Sequence, residues 1–278
     1  MKVQLLSDLH LESNWGWQAV PAPDAQLLML AGDIGSYQVG TRLSDINFGL
    51  TRFSPHYGWP CPVVFVPGNH EYDGLDFNQA HEMLQAACQR LGIIWLERQA
   101  LVWPLHSGSG ESIRLLGTTL WSDFDALAKS SAPHNLAKPA QPKAREKAFK
   151  AANYYLRKTG THIRGSPMLA EQVREHALVC QQWLEAALRQ PFDGKTVVIT
   201  HFAPSLQSAD PRYGLTPGTA GFCNNLDHLM PLATCWLHGH LHTPQHYRHQ
   251  GCLVIANPLG YASKGEQAHF DPLMCINI

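Results

Sequence analysis

Short apolar runs recur along the chain at Val3–Leu6, Leu27–Leu30, Val63–Val66, Thr196–Thr200 and Cys235–Leu237. Each is too short for a core helix and each ends at glycine, proline or polar residues, so they read as buried strands. Between them, Thr41–Phe53 and Phe77–Leu91 carry apolar residues at helical spacing; in the second, Phe77, Ala80, Met83, Leu84, Ala87 and Leu91 share a face. Alternation of buried strand and amphipathic helix predicts an α/β fold, a sheet covered by helices.

Farther along, Ile94–Leu96, Ala100–Trp103 and Ile113–Gly117 read as strands. A linker interrupted by Pro133, Pro139 and Pro142 follows, then helical segments at Lys143–Lys158 and Met168–Leu188. The chain is expected to form one domain over residues 1–278 with a helical and loop excursion at about 125–190, of which Asp125–Leu169 borders the mouth of the site. His246–His249, Cys252–Ala256 and Leu273–Ile278 are expected to be short strands of a second, more antiparallel sheet.

With 278 residues, 45% of them hydrophobic, a full core is available. Lys and Arg number 21 against 22 Asp and Glu, so the total charge favours no polyanionic partner. A nucleic-acid enzyme would need a local patch; the cluster Lys138–Lys158 is read instead as a solvated helix face. Seven cysteines without a CxxC pair argue against a disulfide framework and a zinc knuckle, and for a reducing, cytoplasmic setting. Met1–Leu6 runs straight into a motif at Asp8, without the segments of a signal peptide, and no apolar run has the length of a membrane span.

Five polar motifs each follow a predicted strand: Asp8-Leu9-His10, Gly32-Asp33, Gly68-Asn69-His70-Glu71, His201 and Gly239-His240-Leu241-His242. In an α/β fold the loops beyond the carboxyl ends of strands converge on one crevice. Carboxylate oxygens and neutral imidazoles together suit divalent transition ions. Side-chain alternation in an extended segment would aim Asp8 with His10, and His240 with His242, to one side. Asp33 can bridge two ions through separate oxygens, and Asn69 adds a neutral amide oxygen.

In that order, from Asp8 to His242, the motifs resemble the calcineurin-like metallophosphoesterase superfamily. The resemblance implies a two-sheet β-sandwich core flanked by helices, four layers in the order α/β/β/α. It implies two divalent metal ions, manganese first, with iron, zinc, nickel, cobalt or magnesium as alternatives. Asp8, His10, Asp33 and His242 would hold one ion; Asp33, Asn69, His201 and His240 the other. The implied activity is hydrolysis of a phosphodiester or phosphomonoester of a small molecule, such as a nucleotide, by a metal-bridging hydroxide. The implied catalytic set is His70, as general acid, with Asp33 and Asn69. The segments Gly117–Trp121, Thr200–Ser205 and Asn257–Tyr261 would shape the pocket.

The chain also departs from its relatives. Protein phosphatases of the superfamily carry an aspartate three residues after the bridging one, where this chain has Ser36; what orients His70 is thus open between Glu71 and an unidentified residue. Phe202 and Leu259 stand where many relatives have histidine and arginine, which predicts a less anionic or more apolar substrate. Trp15 and Trp17 are read as covers of a core edge, with stacking on substrate as the alternative. His106, His134, His162 and His176 are read as solvated or structural, and Cys223, Cys235 and Cys252 as small core residues. Two rival functions remain: a nuclease acting on DNA or RNA, which would need a basic track, and a metal-free binding scaffold, which would be expected to have lost ligands. A small-molecule phosphoester is the expected partner, without membrane or nucleic acid; the oligomeric state is open.

Overall fold

The computed structural model describes residues 1–105, 112–130 and 140–278. In chain order its elements are β1 (Lys2–Leu6), β2 (Leu27–Ala31), β3 (Val63–Val66), α1 (Phe77–Leu91), β4 (Ile94–Trp95), β5 (Gln99–Pro104), β6 (Ser112–Thr118), α2 (Ala126–Ser130), α3 (Ala140–Thr159), β7 (His162–Ile163), β8 (Ser166–Pro167), α4 (Ala170–Leu188), β9 (Lys195–Thr200), β10 (Cys235–His238), β11 (Gln245–His249), β12 (Cys252–Ala256) and β13 (Cys275–Asn277).

Two sheets carry the fold: β13-β1-β2-β3-β4, and β11-β12-β10-β9-β6-β5. The period-two alternation of each strand assigns its residues to two different cores. Val3, Leu5, Leu27, Met29, Val64 and Val66 of the first sheet meet Ile113, Leu115, Val197, Ile199, Leu237 and Ile255 of the second in one buried cluster, the filling of the sandwich. The opposite parity, Leu6, Leu28, Leu30, Val63 and Phe65 on one side and Leu116, Val198, Trp236 and Val254 on the other, packs outward against helices, including Ala80 and Leu84 of α1 and Ala177 and Leu184 of α4. The layers are therefore α/β/β/α, and near-continuous apolar strands are what burial on both faces requires. β1, β2 and β3 run parallel, as do β9 and β10, so all five end at the same edge of their sheets.

Two expectations fail. Thr41–Phe53 is not an α-helix; only Leu50–Phe53 forms a short 3-10 turn. Side chains take over the backbone partners a helix would use: Asp45 Oδ1 accepts from the amides of Asn47 and Gly49, Tyr37 Oη from that of Phe48, and Phe48 and Gly49 are left-handed. The last three strands also do not share a sheet. β11 and β12 pair antiparallel in the second, while β13 pairs antiparallel with β1 in the first, and β12 itself runs parallel to β10.

The excursion is tied to the loop after β3. Gly74 donates to Thr159 O, Thr161 to Tyr72 O, and His162 to Leu75 O. Asp125 accepts from Arg145 of α3 and Arg174 of α4 at 2.7–2.8 Å, fastening both helices to the segment after β6. The basic face of α3 is solvated as expected, with Lys143, Lys147, Lys150 and Lys158 exposed. Pro133, Pro139, His106 and His134 lie outside the described residues.

Candidate metal centre

The aspartate, histidine and asparagine side chains of the motifs meet at the shared edge of the two sheets. The backbone bringing them there is not extended: Asp8, His10, Asp33, His240 and His242 have φ between 44° and 73°. Strand alternation is therefore not what pairs Asp8 with His10 or His240 with His242. β1 and β10 end at Leu6 and His238, and left-handed turns re-aim the residues beyond. Non-glycine residues seldom adopt this conformation, and clustering at one place marks a functional site. Two glycines permit the close approach of loops. A Cβ on Gly68 would strike Asp33 Oδ1, and one on Gly239 would come within 2.5 Å of Asp8 Oδ2.

Asp8, His10 and His242 form one group. His10 Nε2 is 3.0 Å from His242 Nε2, which is 3.5 Å from Asp8 Oδ1. Asp33, His201 and His240 form a second. His201 Nε2 lies 3.1 Å from Asp33 Oδ2, 3.2 Å from His240 Nδ1 and 3.1 Å from Asn69 Oδ1. Asp33 Oδ2 joins the groups, being also 3.9 Å from His10 Nε2. Backbone amides hold one oxygen of each carboxylate: His70 N donates to Asp33 Oδ1 and His240 N to Asp8 Oδ1.

Three of the four inward imidazoles have the far nitrogen occupied, while that of His240, Nε2, is buried without a hydrogen bond. His10 Nδ1 meets Glu12 at 3.0 Å, His242 Nδ1 meets Glu266 at 2.6 Å, and His201 Nδ1 meets Ala31 O at 2.9 Å. An N–H donated outward leaves the Nε2 lone pair facing in, the arrangement that orients metal-ligating histidines. His240 turns Nδ1 inward and stacks on Phe202 at 4.0 Å. Meanwhile Asp8 Oδ2 and Asp33 Oδ2 are buried without a hydrogen bond. Buried, unsatisfied carboxylate oxygens beside inward lone pairs are costly unless a cation takes them up, so the donor set fits divalent metal ions.

Charges in the centre agree. Burial works to raise Asp33, yet His201 and His70 carry it well below the usual carboxylate range. Burial works to lower His201, but the Asp33 carboxylate outweighs it and raises it to about 9. Burial and the charge of His201 push His240 well below the ordinary imidazole value.

His70 is oriented by Asp73, whose Oδ2 is 2.5 Å from His70 Nδ1. Burial opposes protonation of His70, but Asp73 and then Asp33 lift its pKa well above the ordinary value. Glu71 is engaged elsewhere, accepting from the amides of Asp33, Ile34 and Gly68; burial and Asp33 push it up to about 8. The side chain of His70 is 24% exposed, whereas those of His10, Asp33 and His201 are at most 1% exposed, so His70 stands at the opening.

Residues the motifs do not name complete the surroundings. Glu12 and Glu266 are the carboxylates just described, and Tyr261 stacks on His10 at 4.2 Å. Glu12 follows His10 by two residues and Asp73 follows His70 by three, in a 3-10 turn that brings such residues together, so local spacing carried a signal. Leu259 is buried in the outer apolar cluster, and Leu259→Arg would place a charge there. Trp17 packs against Phe53 and Phe270 as a core cover, while Trp15 is exposed beside Arg42. All seven cysteines are free thiols, with Cys223, Cys235 and Cys252 buried.

A four-layer sandwich with histidine, aspartate and asparagine converging at the strand ends defines a metallohydrolase architecture. The calcineurin-like phosphoesterase family matches residues 1–244, and the chain belongs to it: it is a phosphoester hydrolase. An uncharacterized protein of Acanthamoeba polyphaga mimivirus is 26% identical, aligned over 99% of this chain and 96% of its own. The crystal structure of phosphopantetheinyl hydrolase from Mycobacterium tuberculosis superposes with a TM-score of 0.68 at 18% identity, covering 100% of this chain and 95% of its own; it shares the fold.

Proposed function

We propose that the chain is a two-metal phosphoesterase acting on a small-molecule phosphate ester, with Asp8, His10, Asp33 and His242 holding one ion and Asp33, Asn69, His201 and His240 the other. The observation that carries this reading is the position of Asp33 Oδ2, unsatisfied and in reach of both histidine groups. When bound, the ions would supply Lewis-acid charge and lower the pKa of a water molecule. Manganese heads the order that the family resemblance implies; the carboxylate and amide oxygens suit it, and the imidazoles equally admit iron, nickel or zinc. His70, its Nδ1 engaged by Asp73, has Nε2 left to deliver a proton to the leaving oxygen. Phe202, where many relatives carry a histidine, leaves one side of the centre apolar. Seven free thiols favour a reducing, cytoplasmic setting, and among the described residues no helix is long and apolar enough to cross a membrane.

The test is metal analysis of the purified protein with turnover of para-nitrophenyl phosphate and bis-para-nitrophenyl phosphate. Bound metal with turnover of either ester is expected. Absence of activity with manganese, nickel, cobalt and zinc would instead favour a binding scaffold. On the nuclease alternative, activity towards DNA or RNA would fall steeply with salt, about 10³-fold or more for six or more phosphate contacts between dilute and physiological salt; turnover of a small ester is expected to be nearly flat.

Metal uptake should also release protons. His201 in the metal-free site is raised to about 9, so at any pH below that value an incoming cation displaces a proton. The His201 contribution to metal affinity is expected to climb with pH up to about 9 and to level off above it. Calorimetric titration in buffers of different ionisation enthalpy measures the release; zero proton release at neutral pH would contradict the assignment of His201.

A further inference from the structure

A cleft of about 270 Å³ lies between α3 and the turn Pro217–Gly221. Phe124, Leu127, Pro217 and Ala220 form its walls, and Lys143 and Lys147, one helical turn apart on α3, stand at its rim. Both lysines are exposed, and among the described residues neither is in an ion pair. The turn bordering the cleft runs on towards the centre. Phe222, directly after the turn, is 43% exposed with its ring 5.3 Å from that of His240, and a Cβ on Gly221 would lie 3.4 Å from the Phe124 ring. Phe222 and Phe124, on either side of Gly221, thus place apolar rings between a candidate metal-site histidine and the cleft wall.

We infer that this cleft holds the leaving group of the substrate, and that this group is an extended, mostly apolar chain ending in an anion such as a second phosphate or a carboxylate. Apolar walls would leave the hydroxyls of a sugar unpartnered, which disfavours a polyhydroxylated group. Two unpaired ammonium groups at the rim complement a terminal anion. The volume is below that of a typical drug-sized site, which suits a short chain better than a macromolecule. This inference rests on the phosphoesterase reading for the word substrate, but the cleft can be tested apart from it.

The probes are methylphosphonate and α,ω-alkane bisphosphonates of increasing chain length, none hydrolysable, titrated calorimetrically into the metal-loaded protein. The best bisphosphonate is expected to bind about tenfold tighter than methylphosphonate. In the double variant Lys143→Ala with Lys147→Ala that advantage disappears while methylphosphonate affinity is unchanged. Ala144→Phe, narrowing the cleft beside the same lysines, should penalise the longer members selectively. Affinity independent of chain length, or a double variant that binds the series as the parent does, overturns the proposal. Turnover of para-nitrophenyl phosphate is read in parallel: a protein that discriminates the bisphosphonates but hydrolyses no ester keeps the cleft and loses the phosphoesterase reading.

Discussion

Asp33→Ala is expected to abolish metal loading and turnover together. Asp33 Oδ2 is the atom shared by the two histidine groups, and Oδ1 accepts from the amide of His70. Removing the carboxylate takes a ligand from both proposed ions, frees the His70 loop, and leaves His201 without the negative charge that raises it. Loss of an outer hydrogen-bond partner of a metal ligand typically weakens metal affinity about 10–100-fold, so loss of a shared ligand should exceed that range. Glu12→Gln, which changes the partner of the outer nitrogen of His10 and of the Ser36 amide but removes no proposed ligand, makes the internal comparison and should fall within it. Metal content per chain and turnover are measured on the same preparations. A fully loaded, fully active Asp33→Ala protein would rule out the two-metal scheme.

His70→Ala should separate the two functions that Asp33→Ala removes jointly. His70 stands at the opening, its Nδ1 held by Asp73 and its pKa lifted well above the ordinary value. The variant is expected to keep its metals, lose about 10²–10⁴-fold in kcat on alkyl phosphates, whose leaving group needs a proton, and lose little on para-nitrophenyl phosphate. Asp73→Asn leaves the imidazole present but without its charged partner, and should show the same dependence on leaving group in weaker form, with KM little changed. Equal losses across all leaving groups would assign His70 to binding rather than proton delivery.

The five strands leading into the centre were legible because doubly buried strands are short uninterrupted apolar runs, and the motifs behind them were legible because each followed such a run. Local propensity could not reveal the partner of β13, since its pairing with β1 joins the two ends of the chain. Nor could periodicity exclude a helix at Thr41–Phe53, where Asp45 and Tyr37 compete for the backbone donors. At the site, residue identities pointed to metal ligands, but the mechanism of aiming was misread: alternation suggested extended segments where the chain turns left-handed. What orients His70 stays open in the sequence between Glu71 and another residue, because sequence proximity does not tell which carboxylate is already committed to backbone amides; the structure gives Asp73.

The left-handed turns at Asp8, His10, Asp33, His240 and His242 restrict how this protein could be re-engineered. Aspartate, asparagine and histidine are the side-chain-bearing residues that tolerate such backbone best, so coordination chemistry and chain stereochemistry select the same small alphabet. A glycine at position 8 should therefore leave the metal-free protein about 1–2 kcal/mol more stable than a valine there, as thermal unfolding would report. Attempts to recruit a different ion by installing threonine or another branched donor at these positions would meet resistance from the main chain before any metal arrived.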